Sequence, residues 1–254
     1  EENRYWAEQL ASHYGLSEDQ AAALLDAAQE SGPVLPQLAG QYIITSGNGQ
    51  CVNLGQFTVP LAFSRQQYQD DPGYSMPQLC GFPLIGEKMW GPSPLNRMKR
   101  MQEKCSKALE ILSNVQSHVV LDKTAEEIKT MRLLAEFYEL KSRACARFFH
   151  ILYGVEGAEE SEALEWLEQS VEVYRKLSEQ TENLFRDASS LYHYRRMPLP
   201  VTEGYYHWTD CLPEFEKELE TAREGGIKAL LEAAGKNAKL SMEWNAAALN
   251  TDEI

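Results

Sequence analysis

The densest group of side chains that could contact a ligand is aromatic, with histidine and arginine beside the rings. These residues lie at 192–196 and 205–208, and two more aromatic residues lie in an earlier glycine- and proline-rich region. Flat rings next to Arg and His donors suit sugar rings, whose C–H faces are apolar and whose hydroxyl groups need hydrogen bonds. The candidate ligand-binding residues are Tyr74, Trp90, His193, Arg195, His207 and Trp208.

A structural role for the same residues is the alternative, and it is the commoner one for aromatic clusters of this kind. In that role the rings would cover one end of a helical assembly or dock it onto another domain. Residue types and spacing are compatible with both roles, so the sequence leaves ligand contact and packing open.

Motifs for catalysis, metal binding or cofactor binding do not occur in the sequence. None of the five histidines has the Glu-x-x-His spacing of di-metal bundle sites, and no His-Glu-x-x-His or Cys-x-x-Cys motif is present. The glycines at 47 and 49 lack the later glycine and lysine of a phosphate-binding loop, so they predict a turn. The acidic stretch 159–162 is typical of a solvent-exposed helix face rather than of a glycosidase acid pair. We therefore expect no catalytic residue, no metal and no cofactor.

Composition excludes some classes of partner. The chain has 254 residues, of which 43% are hydrophobic, and a formal net charge of −14. This apolar content can fill a sizeable core without disulfides or metals. The negative charge repels phosphate backbones, so we expect no nucleic-acid partner. No apolar run has the length of a membrane span, so we expect no membrane partner.

Cysteine usage points to buried thiols. Cys105 and Cys145 fall on apolar helical stripes, where a thiol acts as a small hydrophobic group. Spacing alone does not show whether Cys51 and Cys80 form a disulfide bridge.

Helical periodicity dominates residues 95–194. Three long stretches are apolar at alternating three- and four-residue steps, which predicts three long amphipathic helices. The first stripe comprises Met98, Met101, Cys105, Ala108, Leu112 and Val115. The second comprises Ile128, Met131, Ala135, Tyr138, Cys145, Phe149 and Leu152, and the third Leu164, Leu167, Val171, Tyr174, Phe185 and Ala188. A further apolar face on the second helix places it between the other two and comprises Leu134, Phe137, Ala144 and Phe148.

The sequence as a whole predicts one all-α domain. This domain is an antiparallel bundle of three long helices, with shorter N- and C-terminal helices and one long irregular loop. Its zones are 1–46, with short helices; 47–94, the irregular loop; 95–194, the long-helix bundle; and 195–254, a loop, a C-terminal helix and a tail. Capping-box patterns predict helix starts at Ser17 and at Thr124. The last helix is expected to begin near Asp210 with Pro213 in its first turn.

Several segments resemble a known family. The resemblance is to the helical region that follows the catalytic barrel in large bacterial glycoside hydrolases of the α-glucuronidase-like kind, and it lies in residues 5–10, 14–15, 24–27, 163–174 and 207–213. It implies a non-catalytic accessory domain of an exported, periplasmic or extracellular, polysaccharide-processing protein. The catalytic barrel of those enzymes is absent from these residues, so no catalytic residue is carried over.

The leading hypothesis is therefore a non-catalytic helical accessory domain of a larger carbohydrate-active enzyme. Such a domain would support or cap a catalytic domain, or mediate dimerisation. Its expected partners are a neighbouring catalytic domain or protomer, with carbohydrate as a further ligand. The alternative is an independent helical module that binds a protein partner in a groove between helices.

Overall fold

The computed structural model describes residues 2–34, 94–152, 154, 156–185 and 208–234. All regular structure in these ranges is α-helical, which confirms the expected all-α class. The helices are α1 (Glu2–Tyr14), α2 (Glu18–Ser31), α3 (Pro94–Ser113), α4 (Val119–Leu152), α5 (Glu160–Phe185) and α6 (Trp208–Ala234). The irregular loop was predicted at 47–94, but Pro94 is the first residue of α3. The rest of the predicted loop, with Cys51 and Cys80, lies outside the described residues. Of the described helices, none combines the length and apolar character that crossing a bilayer requires.

The junction between α1 and α2 follows local sequence signals. Gly15 adopts φ 69°, a left-handed conformation that suits glycine, and the Leu16 N–H donates to the Ala11 carbonyl at 3.1 Å to close α1. The predicted capping box at Ser17 is confirmed. The Gln20 N–H donates to Ser17 Oγ at 3.2 Å, and the Ser17 N–H donates to Gln20 Oε1 at 2.9 Å.

The start of α4 differs from the prediction. Thr124 was expected to cap this helix, but α4 begins at Val119, and Thr124 lies inside it with its hydroxyl donating to the Val120 carbonyl at 2.8 Å. His118 takes the capping role, since its Nδ1 accepts the Val120 N–H at 3.2 Å. The extra turn buries Leu121 in the core, and that burial favours the earlier start over the Thr124 capping pattern.

A similar difference occurs in α6, which begins at Trp208 rather than near Asp210. Pro213 therefore lies inside the helix instead of in its first turn. It has no N–H to donate to the preceding turn, so one backbone hydrogen bond is missing there.

The core confirms most of the predicted stripes. In the first stripe the five residues on α3 are buried, and Val115, which follows the end of α3, is half-buried. On α4 and α5 the buried stripe residues are Ile128, Ala135, Tyr138, Leu167, Val171 and Tyr174. The second face predicted on α4 is buried throughout, from Leu134 to Phe148. The side chains of Cys145, Phe149, Leu152 and Phe185 and the whole of Ala188 lie outside the description.

Each helix packs against the next one along the chain. Contacts at two heights show that α4 and α5 run antiparallel, as do α5 and α6. The link between α2 and α3 joins Lys107 Nζ to Glu30 at 2.5 Å. The link between α3 and α4 joins Gln102 Nε2 to Glu139 at 2.6 Å. The link between α4 and α5 joins Gln180 Nε2 to Glu126 at 2.5 Å. Helix α4 thus contacts both α3 and α5.

Hydrogen bonds from Lys129 and Gln180 lower the pKa of Glu126, so this carboxylate stays charged at the contact between α4 and α5.

Cys105 confirms the expectation of a buried thiol. Burial raises its pKa from the ordinary 9.0 to about 11, and the charge of the nearby Arg132 opposes part of that rise. The thiol therefore behaves as a small hydrophobic group and not as a nucleophile at neutral pH.

The position of the α4 cap can be tested by substitution. His118→Ala removes the acceptor at the helix N-terminus and should lower the free energy of unfolding by about 1 kcal/mol. Thr124→Ala, inside the helix, should change it by no more than about 0.5 kcal/mol, because alanine is the better helix former. Urea denaturation followed by circular dichroism measures both variants. The opposite ranking would show that α4 begins at Thr124.

The Cys105 thiol makes stability depend on alkaline pH. In the unfolded chain it ionises near its ordinary pKa of 9.0, whereas in the folded protein it ionises only near 11. Between these values the unfolded state binds fewer protons, so the stabilising contribution present below pH 9 is lost as pH rises. The stability difference between the wild type and Cys105→Ala should therefore shrink from about pH 8 to about pH 10, as measured by urea denaturation. A constant difference across that range would contradict the shifted pKa.

Candidate functional site

Most of the predicted ligand-binding residues lie outside the described part of the chain. Tyr74, Trp90, His193, Arg195 and His207 all do, and Trp208 is described only as the first residue of α6. Since α5 and α6 are antiparallel neighbours, the start of α6 and the end of α5 at Phe185 lie at the same end of the helical assembly. The mutual geometry of the six residues stays a prediction.

The most unusual polar feature in the described residues is a buried ion pair between α4 and α6. Lys141 Nζ lies 2.7 Å from Glu218 Oε2, and the two side chains are only 1% and 7% exposed. Taking two charges out of water costs several kcal/mol per ion, so such a pair persists only where geometry and surroundings compensate. Here each charge neutralises the other at hydrogen-bond distance.

Aromatic rings from three helices pack together beside this pair. Phe137 on α4, Tyr174 on α5 and Phe215 on α6 contact one another, with ring centroids 4.8 Å apart from Tyr174 to either phenylalanine and 5.4 Å apart between the phenylalanines. Lys141 Nζ lies 3.6 Å from the centroid of the Phe215 ring, a favourable cation–π position. The ring faces thus stabilise the ammonium group that water no longer solvates. We call Phe137, Lys141, Tyr174, Phe215 and Glu218 the α4–α5–α6 cluster.

Local helix geometry directs both charges inward. Lys141 lies four residues after Phe137 and three before Ala144. This spacing places it on the second apolar face of α4, between two apolar residues. Glu218 lies three residues after Phe215 and four before Ala222, both of which are buried. Sequence reasoning missed this pair. The signal was present, since a charged residue stands at a core step on each helix, but spacing did not show that the two helices meet there.

Ion pairs at the surface also connect α5 to α6. Arg175 Nη2 lies 2.8 Å from Glu216 on α6, and this hydrogen bond is the main reason that the pKa of the guanidinium lies above its ordinary value. Arg223 on α6 pairs with Glu168 on α5 in the same antiparallel register. These pairs are largely exposed, so each contributes little free energy. Both pairs form in the same antiparallel alignment of α5 and α6.

Helix α6 breaks at Gly226, where the backbone adopts φ 62° and ψ −154°. The break frees the Ile227 N–H, which donates to Glu160 Oε1 at 2.5 Å, at the start of α5. The positive φ is strained for any L side chain, so this backbone conformation favours glycine. A Cβ atom at position 226 would also lie 2.0 Å from the same Glu160 oxygen, which would have to move.

The acidic stretch 159–162 was expected to be a solvent-exposed face. Glu162 fits this expectation, since 46% of its side chain is exposed, whereas Glu160 is half-buried. Both residues contact neighbouring helices. Glu160 accepts the hydrogen bond from α6, and Glu162 lies 3.1 Å from Arg147 on α4. The Arg147 guanidinium also lies 5.5 Å from the centre of the Trp166 ring. Sequence periodicity did not reveal these contacts because they depend on how the ends of α4, α5 and α6 meet.

The chemistry of the α4–α5–α6 cluster is structural. A carboxylate that acts as a general acid or base must reach a proton on its substrate, and Glu218 is instead enclosed with Lys141. Within the described ranges there is also no group of three His, Cys, Asp or Glu side chains placed to bind a metal ion. The cluster therefore fixes α6 on α4 and α5, and with it the start of α6 at Trp208.

Comparison with known proteins gives a likeness of fold. No family model matches the chain, and no curated protein matches it. Among solved structures, it is similar to a GH138 enzyme targeting pectin rhamnogalacturonan II, with 21% sequence identity and a TM-score of 0.61. The match covers 91% of this chain but only 28% of that enzyme's chain. The chain thus shares the fold of a limited part of a much longer glycoside hydrolase.

The buried ion pair predicts an asymmetric response to substitution. Lys141→Met leaves the Glu218 carboxylate buried without its cation and should lower the free energy of unfolding by about 3–5 kcal/mol. The double variant Lys141→Met/Glu218→Met removes both charges and should recover most of that loss. Urea denaturation measures the double-mutant cycle.

Arg223→Ala is the matched control for this cycle, because it removes an exposed ion pair between α5 and α6. It should change stability by no more than about 0.5 kcal/mol. Additive losses in the double variant would show that the two charges do not interact in the folded protein.

Proposed function

We propose that this chain is a non-catalytic helical accessory domain of a larger carbohydrate-active enzyme, in which it supports or caps a catalytic domain. The main support for the proposal is the difference between the two shares of chain length that the structural match covers. Nearly the whole chain, 91%, corresponds to 28% of the chain of a GH138 enzyme. A fold shared with a limited part of an enzyme is what an accessory domain predicts.

The described interior supports the same proposal. The residues that fill the space between α4, α5 and α6 are large rings and one neutralised ion pair, packed against one another. Such a junction gives α6 a fixed position, which suits a domain that presents one rigid surface to a neighbour. The finer resemblance to α-glucuronidase-like enzymes stays a prediction, as does an exported location.

The substrate of the proposed parent enzyme is a plant polysaccharide of the pectin class, by analogy with the GH138 enzyme. The six predicted ligand-binding residues are the proposed points of contact between this domain and that substrate. Trp208 is the one of them that lies within the described residues, as the first residue of α6.

The test compares this chain with the full-length polypeptide encoded by its gene, which the proposal expects to be longer. Both are incubated with pectin rhamnogalacturonan II, and released sugars are measured by chromatography. The longer polypeptide should release sugar, and the 254-residue chain alone should release none. Hydrolysis by the isolated chain, or a gene product that contains no further domain, would contradict the proposal.

Exposed aromatic residues on α1 favour a second candidate function, that of an independent protein-interaction module. Tyr5 and Trp6 are 55% and 49% exposed, and both residue types are enriched where proteins bind one another. A module of this kind would bind a separate protein without any catalytic domain in its own polypeptide. The length of the gene product separates the two candidates.

A further inference from the structure

Helix α6 consists of two segments that meet at a pair of glycines. Gly225 and Gly226 follow one another, and Gly226 lies outside helical geometry, at φ 62° and ψ −154°. This region of backbone space is accessible at low cost to glycine alone, so the regular helix is interrupted at position 226. We call residues 208–225 the first segment of α6 and residues 227–234 the second segment.

The first segment is attached to the rest of the domain at several points. The Lys141–Glu218 pair joins it to α4, and two exposed ion pairs join it to α5. Its buried side chains are Phe215, Glu218, Leu219 and Ala222. Release of this segment would separate two buried charges and expose an aromatic ring, which is costly.

The second segment has fewer attachments among the described side chains. Leu230 is buried, and Ile227 is partly buried against the core. The Ile227 N–H donates to Glu160 Oε1 at the start of α5. Isolated helices shorter than about 12–15 residues are marginal in water, so a segment as short as 227–234 does not stay helical by itself. Its helical state therefore depends on these contacts.

Glu160 acts on the second segment as a capping side chain acts on its own helix. A capping side chain accepts a hydrogen bond from one of the first N–H groups of a helix. Here the acceptor comes from another helix, 67 residues away along the chain. Glu160 is also the first residue of α5, where a carboxylate interacts favourably with the positive end of the helix dipole. One carboxylate thus stabilises the start of two helical segments.

We propose that the second segment of α6 opens as a unit about Gly226 while the first segment stays in place, and that Glu160 controls this opening. Opening breaks the hydrogen bond to Ile227, exposes Leu230 and frees the Glu160 carboxylate at the start of α5. Local transitions between order and disorder of this kind are one way in which proteins switch a surface. The opening involves only contacts within the described residues, so it is compatible with either candidate function.

Simple fraying of the helix end is the alternative. Fraying lowers protection gradually from the last residue inward and does not involve a residue of α5. Opening as a unit lowers protection in one step, at the position where the helix is interrupted. The geometry of Gly226 and the bond from Ile227 to Glu160 favour the step, since both mark this position rather than the end of the helix.

The test uses hydrogen exchange of the 254-residue chain, followed by NMR for single amide groups. In the wild type, amides of the second segment should exchange at least about tenfold faster than amides 219–224, with the change at Gly226. Glu160→Ala removes the acceptor and should speed exchange throughout the second segment by a similar factor, about fivefold. Amides 219–224 should keep their wild-type rates in this variant.

Glu159→Ala is the matched control. Glu159 is the preceding residue, is exposed, and accepts a hydrogen bond from the Ser161 hydroxyl instead of one from α6. The variant removes the same charge from the same end of α5. It should leave exchange in the second segment unchanged.

Equal exchange rates on the two sides of Gly226 in the wild type would show that α6 opens as one body and would overturn the proposal without any substitution. Unchanged exchange in Glu160→Ala would also overturn it, because simple fraying predicts that result. An equal effect of Glu159→Ala would assign the control to charge at the end of α5 and not to the Glu160 bond. Faster exchange of amides 219–224 in Glu160→Ala would show that Glu160 holds the whole helix, which contradicts separate opening.

Discussion

The fold depends on one constraint, which is that α4 must bury two faces at once. One face carries Ile128, Ala135 and Tyr138, and the other runs from Leu134 through Phe137 to Phe148. A helix with a single apolar stripe can lie at the surface, but one with two must have neighbours on both sides. Helix α3 and helix α5 supply those neighbours, and α6 contacts the second face through Phe215. The other helices take their places around α4.

The Lys141–Glu218 pair decides where α6 lies on that second face. Aromatic packing alone is tolerant of small shifts along a helix, because rings can slide over one another at similar energy. A buried ion pair does not tolerate such shifts. Moving α6 by one turn would separate Lys141 from the Glu218 carboxylate in an environment without water. We therefore regard the pair as a determinant of register. The exposed pairs Arg175–Glu216 and Arg223–Glu168 follow the same register at little gain in free energy.

In the described residues, buried charges and exposed aromatic rings lie in different parts of the fold. In the described residues the charged groups that are buried serve to join helices, and the aromatic groups that are exposed lie on α1. The likeness to part of a GH138 enzyme concerns the fold of this chain.

Local patterns in the sequence determined the all-α class, the Ser17 capping box, the end of α1 at Gly15 and most residues of the core. These features follow from interactions within a few residues, for which periodicity is a sufficient guide. Tertiary structure alone decided the start of α4 at Val119, the contacts of Glu160 and Glu162, and the meeting of Lys141 with Glu218. Those partners are up to 77 residues apart. The reason is physical: periodicity shows which side of a helix is buried, but the register between two helices is set by packing and charge across their interface.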